Sequence, residues 1–177
     1  MPKRITLVLA DEQTLFCDGL AAICESTRQF QVVGRCADGR SALRMIRALA
    51  PDAALLDLGL SKLDTLTIVR RIRLVERSPR ILVLSTRRDL RTVHDLVRSG
   101  ANGFLLKSDP ARCLLDGLRA TLGGSLYILS GKDIAERLDI NPKTVSTYRT
   151  NLMSKLAIYN LPGLVKFAVR KGLISLR

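Results

Sequence analysis

The feature that most constrains the fold is an alternation of two sequence textures, repeated five times up to about residue 122. Short apolar runs rich in β-branched residues or leucine lie at residues 5–10, 30–36, 53–58, 81–86 and 103–107. Amphipathic stretches with helical period lie at 15–26, 40–49, 66–75, 90–98 and 110–122. Strands that alternate with helices predict a parallel sheet covered on both faces, and right-handed crossovers then favour a doubly wound α/β fold.

The chain changes character after residue 122. Gly123-Gly124-Ser125 ends the last amphipathic stretch, and residues 123–130 have the composition of a linker. Short helices are predicted at 132–138, at 142–156 with Asn141 as N-cap, and at 162–171. We therefore divide the chain into an α/β domain at 1–122, a linker at 123–130 and a small all-α segment at 131–177.

Composition and charge narrow the class of protein. Of 177 residues, 47% are hydrophobic and 25% charged, which is typical of a globular chain. The net charge is +13, and the segment after residue 124 holds nine basic but only three acidic residues. This excess suits a polyanion such as DNA, although a merely basic, soluble surface would give the same count. Since the apolar runs are too short to span a bilayer and no signal-peptide pattern is visible, we expect a cytoplasmic protein without a membrane partner.

The four cysteines and the single histidine do not indicate a metal or catalytic centre. The cysteines, which are Cys17, Cys24, Cys36 and Cys113, are too far apart for a CxxC motif, so we expect reduced packing residues. His94 is expected on the surface of a helix. A free-standing hydrolytic enzyme therefore has little support, and we expect no enzyme.

Charged and hydroxyl side chains follow the predicted strands where each strand ends. Asp11 and Glu12 follow the first, Asp57 ends the third, Ser85 ends the fourth and Lys107 ends the fifth. The carboxyl ends of the strands form the binding crevice of a doubly wound sheet. Three carboxylates at one point repel one another unless a cation lies between them, and oxygen ligands suit Mg²⁺. One carboxylate could then act as a nucleophile towards phosphorus, with the hydroxyl and the ammonium holding the phosphoryl oxygens.

With these residues in place, residues 4–122 resemble the receiver domain of two-component response regulators, whose strand order is 2-1-3-4-5. The resemblance implies that Asp57 accepts a phosphoryl group from a sensor histidine kinase. It also implies a Mg²⁺ site and a set of phosphate or switch residues. In the metal site, Glu12, Asp57 and the backbone carbonyl of Gly59 would be ligands, and Asp11 would help through the waters of the metal. The phosphate or switch residues would be Ser85, Phe104 and Lys107.

Two positions after the phosphoacceptor depart from the receiver pattern. The family usually shows Met-Pro and then Asp-Gly, whereas this chain has Leu60-Ser61 and then Asp64-Thr65.

The domain is also rich in arginine. We expect a solvated helix face from these arginines, with an acidic partner or DNA as the alternative. They are Arg70, Arg71, Arg73, Arg77, Arg80, Arg87, Arg88 and Arg91.

Residues 131–156 predict a helix-turn-helix whose second helix presents hydroxyl and basic side chains to double-stranded DNA. An ordinary helical hairpin with a polar face is the alternative. The segment resembles the LuxR-type DNA-binding domain of the NarL/FixJ class, in which the last helix, here within 161–174, supports a homodimer. The predicted DNA contacts are Lys143, Thr144, Ser146, Thr147, Arg149, Thr150 and Lys155.

The DNA-binding segment is short by comparison with that family, because the helix that normally precedes the helix-turn-helix is absent. About fifteen residues are missing, and what remains is near the size at which a single core is marginal. The sequence thus predicts a response regulator in which phosphorylation of Asp57 controls DNA binding and transcription. The alternative is a phosphorylatable interaction module or phosphoryl sink, with its DNA-binding domain disabled by loss of the first helix.

Overall fold

The computed structural model describes residues 3–75, 79–87 and 90–127, together with residues 150 and 154. Five strands alternate with five helices in this part of the chain. The strands are β1 (Ile5–Ala10), β2 (Phe30–Cys36), β3 (Ala53–Asp57), β4 (Arg80–Ser85) and β5 (Gly103–Leu106). The helices are α1 (Thr14–Ser26), α2 (Gly39–Leu49), α3 (Thr65–Ile72), α4 (Leu90–Arg98) and α5 (Ala111–Leu122).

The strands form one parallel sheet in the order β2-β1-β3-β4-β5. The doubly wound fold predicted from the alternation is therefore confirmed, including the strand order. Cα pairing of Ala10 with both Cys36 and Leu56 shows that three strands end at the same level. Asp57 pairs with Leu84 one step further along. The carboxyl ends of the strands consequently form a single edge, on which the charged residues lie.

Alternate residues of the strands build two cores, one on each face of the sheet. Val8, Leu56 and Val83 point to one face and pack with helices α2, α3 and α4. Leu9, Leu55 and Leu84 point to the other face and pack with α1 and α5. Burial on both faces explains why the strands are continuously apolar.

Helix starts near the functional edge are fixed by acidic caps. Asp38 accepts a hydrogen bond from Ser41 N at 3.0 Å, and Asp64 accepts one from Thr67 N at 2.8 Å. Gly39 begins α2 so close to the loop after β3 that a Cβ atom there would lie 1.9 Å from the carbonyl oxygen of Leu63. Glycine is therefore required at this approach.

Arg73 corrects one sequence expectation. It follows α3 and is partly buried rather than part of a solvated face. Its guanidinium donates to Gly100 O at 2.8 Å, to Pro79 O at 2.8 Å and to Asn102 Oδ1 at 2.6 Å. Periodicity misplaced this residue because a side chain at a helix end can fold back onto neighbouring loops. Arg77 and Arg88 lie outside the described residues.

The segment after α5 returns to the sheet. Tyr127 forms an isolated parallel bridge with Gly103, and Phe104 N donates to Tyr127 O at 2.7 Å. The Tyr127 side chain packs on the core face shared with α5. Part of the sequence predicted as linker is thus attached to β5.

All four cysteines are free thiols, as expected.

Candidate phosphoacceptor site

A buried ion-pair cluster lies at the carboxyl edge of the sheet. The Lys107 ammonium, just after β5, is 2.7 Å from Asp11 Oδ2 and 3.2 Å from Asp57 Oδ1. The Lys107 side chain is 8% exposed, and its ammonium also lies 4.8 Å from the centre of the Phe16 ring on α1. Three of the residues predicted from separate strand ends are therefore brought together.

Asp57 lies in an environment that disfavours its charged form. Burial and the negative charge of Asp11 raise its pKa, and hydrogen bonding to Lys107 and to the Gly59 backbone only partly opposes this rise. Additional positive charge close to such a carboxylate stabilises its ionised form. A Cβ atom on Gly59 would lie 3.3 Å from Asp57 Oδ2, so a glycine leaves room beside this oxygen.

The Asp11 carboxylate is paired with Lys107, and one of its oxygens lacks a hydrogen bond. Its Oδ1 atom accepts from Gln13 N and from the Lys107 ammonium, both at 2.9 Å. Its Oδ2 atom is buried beside that ammonium, yet it accepts no hydrogen bond of acceptable geometry from the described residues. A buried carboxylate oxygen without a hydrogen bond fits a metal ligand, since such oxygens are normally satisfied.

The Glu12 carboxylate contacts the loop after β3 and not the Lys107 ammonium. Its Oε1 atom accepts a hydrogen bond from Ser61 N at 2.6 Å. Hydrogen bonds from the Ser61 hydroxyl and from its backbone amide lower the pKa of Glu12. Within the described ranges, no three acidic, histidine or cysteine side chains are grouped closely enough to hold a metal ion. The predicted convergence thus holds for Asp11 and Asp57 but not for Glu12.

Ser85 and Phe104 lie at the expected strand positions, but no described contact joins their side chains to the Lys107 side chain. The backbones of Ser85 and Lys107 do meet, because Lys107 N donates to Ser85 O at 2.7 Å. The Ser85 hydroxyl donates to Arg87 O at 2.8 Å and accepts from Arg87 N at 3.1 Å, so it forms a local turn. Phe104 is 3% exposed and packs in the core face beside α4. Both residues are buried.

Thr65 is a site residue that sequence reasoning did not identify. It stands where the receiver pattern has glycine, it is buried, and its hydroxyl donates to the backbone carbonyl of Asp57. The departure from the pattern was visible in the sequence, but nothing in the sequence showed where the hydroxyl points. Gln13 was also missed, and its Oε1 atom lies 3.4 Å from the Lys107 ammonium.

Most predicted DNA contacts lie outside the described residues. These are Lys143, Thr144, Ser146, Thr147, Arg149 and Lys155. Thr150 is described, and it is helical and exposed. No helix in the described part of the chain is long and apolar enough to cross a bilayer.

Two family models match this chain. The model for the response regulator receiver domain matches residues 7–119, which is well over half of the chain and includes the ion-pair cluster. The chain belongs to the response regulators. The model for bacterial regulatory proteins of the luxR family matches residues 129–168 of this response regulator, which therefore carries a LuxR-type DNA-binding domain. The family consists of two-component transcription regulators and not of enzymes.

Two named transcriptional regulators align with this response regulator over nearly the whole of both chains, and a solved receiver domain superimposes on its first part. It is 27% identical to the transcriptional regulatory protein LiaR of Bacillus subtilis, over 97% of this chain and 100% of that protein. It is 25% identical to the transcriptional regulatory protein MctR of Rhizobium johnstonii, over 97% and 96% of the two chains. The receiver domain of NarL from Mycobacterium tuberculosis superimposes with a TM-score of 0.67 at 29% identity, covering 70% of this chain and 99% of that one.

Proposed function

We propose that a sensor histidine kinase transfers a phosphoryl group to Asp57 and that this transfer controls DNA binding by residues 131–177. The observation that carries the proposal is the buried Asp57 carboxylate beside the Lys107 ammonium, 3.2 Å away, with Asp11 Oδ2 2.7 Å from the same ammonium. If Lys107 had only a structural role, a single carboxylate would be enough to pair with its ammonium. Two carboxylates around one lysine leave negative charge that a further cation can neutralise.

The chemistry follows from these positions. An Asp57 carboxylate oxygen attacks the phosphorus of a phosphohistidine, an O–P bond forms, the P–N bond breaks and the imidazole of the kinase leaves. Lys107 is positioned to neutralise the phosphoryl oxygens, because its ammonium already contacts Asp57. Exclusion of water by the surrounding buried strand ends strengthens this attraction.

Receiver domains conventionally bind Mg²⁺ at the phosphorylation site, and the donor set here is suitable for it. Oδ2 of Asp11, which is paired with Lys107, and the Asp57 carboxylate would hold the ion, with Glu12 and the Gly59 carbonyl as further oxygen ligands. The ion would supply positive charge to the developing phosphoryl oxygens.

Ser85 and Phe104 are proposed to pass the change from the site to the rest of the protein. A phosphoryl group on Asp57 would offer the Ser85 hydroxyl a charged acceptor in place of Arg87 O. Phe104 lies on the neighbouring strand, and its amide is bonded to Tyr127 at the start of the connection to the DNA-binding domain. A shift of β5 would therefore act directly on that connection.

The kinase is proposed to dock beside α1. An apolar groove of about 480 Å³ runs along this helix and includes Leu15, Phe16 and Ile23. Leu15 is 87% exposed, and Phe16 lies next to the Lys107 ammonium, so the groove reaches the site. An apolar face adjoining the phosphoacceptor suits a helical partner that presents a histidine.

We also propose the limits of the domains, the basis of dimerisation and the location of the protein in the cell. The domain limits are 1–122, 123–130 and 131–177, the last helix supports a homodimer, and the protein acts in the cytoplasm. DNA would be contacted by the residues named above on the second helix of the helix-turn-helix. The basic excess after residue 124 supports this assignment.

One observation favours the second candidate, a phosphorylatable interaction module without DNA output. The alignment with LiaR spans 210 positions, more than the 177 residues of this chain, so the relative contains residues that have no counterpart here. Loss of a covering helix would expose apolar side chains of the C-terminal segment to another protein.

Intact-mass spectrometry tests the phosphoacceptor. The full-length protein is incubated with a small phosphoryl donor and Mg²⁺, alongside Asp57→Asn and the exposed control Asp116→Asn. We expect one phosphoryl group per chain in the wild type and in the control, and none in Asp57→Asn. Equal labelling of Asp57→Asn would refute the assignment.

A further inference from the structure

The backbone amide of Ser61 holds the Glu12 carboxylate. Ser61 N lies 2.6 Å from Glu12 Oε1, a short bond of the kind formed to a charged acceptor. Ser61 is itself fixed, because its carbonyl accepts from Gly39 N at 3.0 Å and from Leu63 N at 2.7 Å. The donor is therefore held by backbone hydrogen bonds on both sides of its loop, whereas the Glu12 side chain is exposed.

This hydrogen bond depends on a residue in which the chain departs from the receiver pattern. Ser61 stands where that pattern usually has proline. Proline has no amide hydrogen and cannot donate to Glu12. The contact is therefore possible in this chain and impossible in relatives with the usual residue.

The arrangement has a consequence for cation binding. Asp11 and Asp57 both contact the Lys107 ammonium, and within the described residues Glu12 is not grouped with them closely enough to share a metal ion. For Glu12 to join the two aspartates around a divalent cation, it must leave Ser61. Breaking a charge-assisted hydrogen bond opposes that movement.

We propose that Ser61 is a positioning residue that holds Glu12 away from the cation site and thereby weakens Mg²⁺ binding. The proposal rests on the assignment of Glu12 as a Mg²⁺ ligand in the proposed function. The expected effect is roughly two- to tenfold in the dissociation constant, the range of one hydrogen bond that water partly replaces.

Calorimetric titration of the full-length protein with MgCl₂ tests the proposal. Ser61→Pro removes the amide donor and the hydroxyl, whereas Ser61→Ala removes only the hydroxyl. Ser26→Ala is the control, since that hydroxyl bonds to Ile23 O at the far end of α1. We expect the tightest Mg²⁺ binding in Ser61→Pro, an intermediate affinity in Ser61→Ala and no change in Ser26→Ala.

Equal or weaker Mg²⁺ binding by a folded Ser61→Pro protein overturns the proposal, while phosphorylation of Asp57 would be unaffected by that result. If the wild type binds no Mg²⁺, the metal assignment of the proposed function fails together with this one. If Ser61→Pro does not fold, the backbone amide of Ser61 in the wild-type protein is used to test the proposal. Its NMR proton shift is expected to move upfield as Mg²⁺ is added, and an unchanged shift at saturation refutes the proposal.

Discussion

The Lys107 ammonium lies 2.7 Å from Asp11 Oδ2, and both side chains are almost completely buried, with 8% and 1% of their surfaces exposed. The same ammonium reaches Asp57, so one lysine balances two carboxylates in the metal-free protein. Lys107 thus occupies the position at which positive charge is needed before any phosphoryl group arrives.

Lys107→Gln is expected to destabilise the metal-free protein by about 3 kcal/mol, because it leaves two buried carboxylates without a counter-charge. Added Mg²⁺ is expected to restore part of this loss. Chemical denaturation with and without Mg²⁺ measures both effects. Lys62→Gln is the control, since its pair with Asp38 is exposed at the lysine and should change stability by less than about 1 kcal/mol. Equal losses in the two variants would show that the buried cluster has no special role.

Asp57 gives the metal-free protein a specific pH dependence. Its pKa is raised in the folded state, by burial first and by Asp11 second. The stability contributed by the protonated carboxyl is present below the pKa of the unfolded chain and is lost as pH rises through the raised pKa. Asp57→Asn should therefore raise the melting temperature at neutral pH and remove this component of the pH profile. Asp116→Asn, an exposed site, should leave the profile unchanged.

Thr65 is expected to stabilise the backbone of the phosphoacceptor. Thr65→Val keeps the shape but removes the donor to the Asp57 carbonyl, so the free energy of unfolding should fall by about 1–2 kcal/mol. Thr65→Ser keeps the hydroxyl and is expected to lose less. Urea denaturation compares the two, and a larger loss in Thr65→Ser would contradict the role of the hydrogen bond.

Arg73 should behave as a structural residue. Arg73→Ala removes hydrogen bonds to three groups and is expected to lower the free energy of unfolding by about 3 kcal/mol. Its exposed neighbour Arg71 provides the matched control, for which alanine should change stability by less than about 0.5 kcal/mol. Similar losses of stability in the two variants would show that Arg73 behaves like a solvent-exposed arginine and not as a structural residue.

Periodicity and strand-end chemistry predicted most of the receiver domain. The first two strands and the fourth helix have the predicted limits, because apolar runs and helical periodicity are local features of the sequence. The same reasoning placed Asp11, Asp57 and Lys107 at one edge, since parallel strands end together. It could not orient Glu12, Thr65 or Arg73, because the groups that these side chains contact are brought near them only by the tertiary structure. The loop at Ser61 shows this most clearly, because Ser61 N lies 49 residues away from Glu12 in the sequence and yet donates to its carboxylate.

The most direct test of the account is the selection of bound duplexes from fragmented genomic DNA. Full-length protein is used with and without Mg²⁺ and beryllofluoride, a mimic of the phosphoryl group, and Asp57→Ala is carried through in parallel. The account predicts enrichment of a defined site that strengthens with the mimic in the wild type and not in Asp57→Ala. No enrichment in either state, from protein whose receiver takes up the mimic, would contradict control of DNA binding and favour the interaction module.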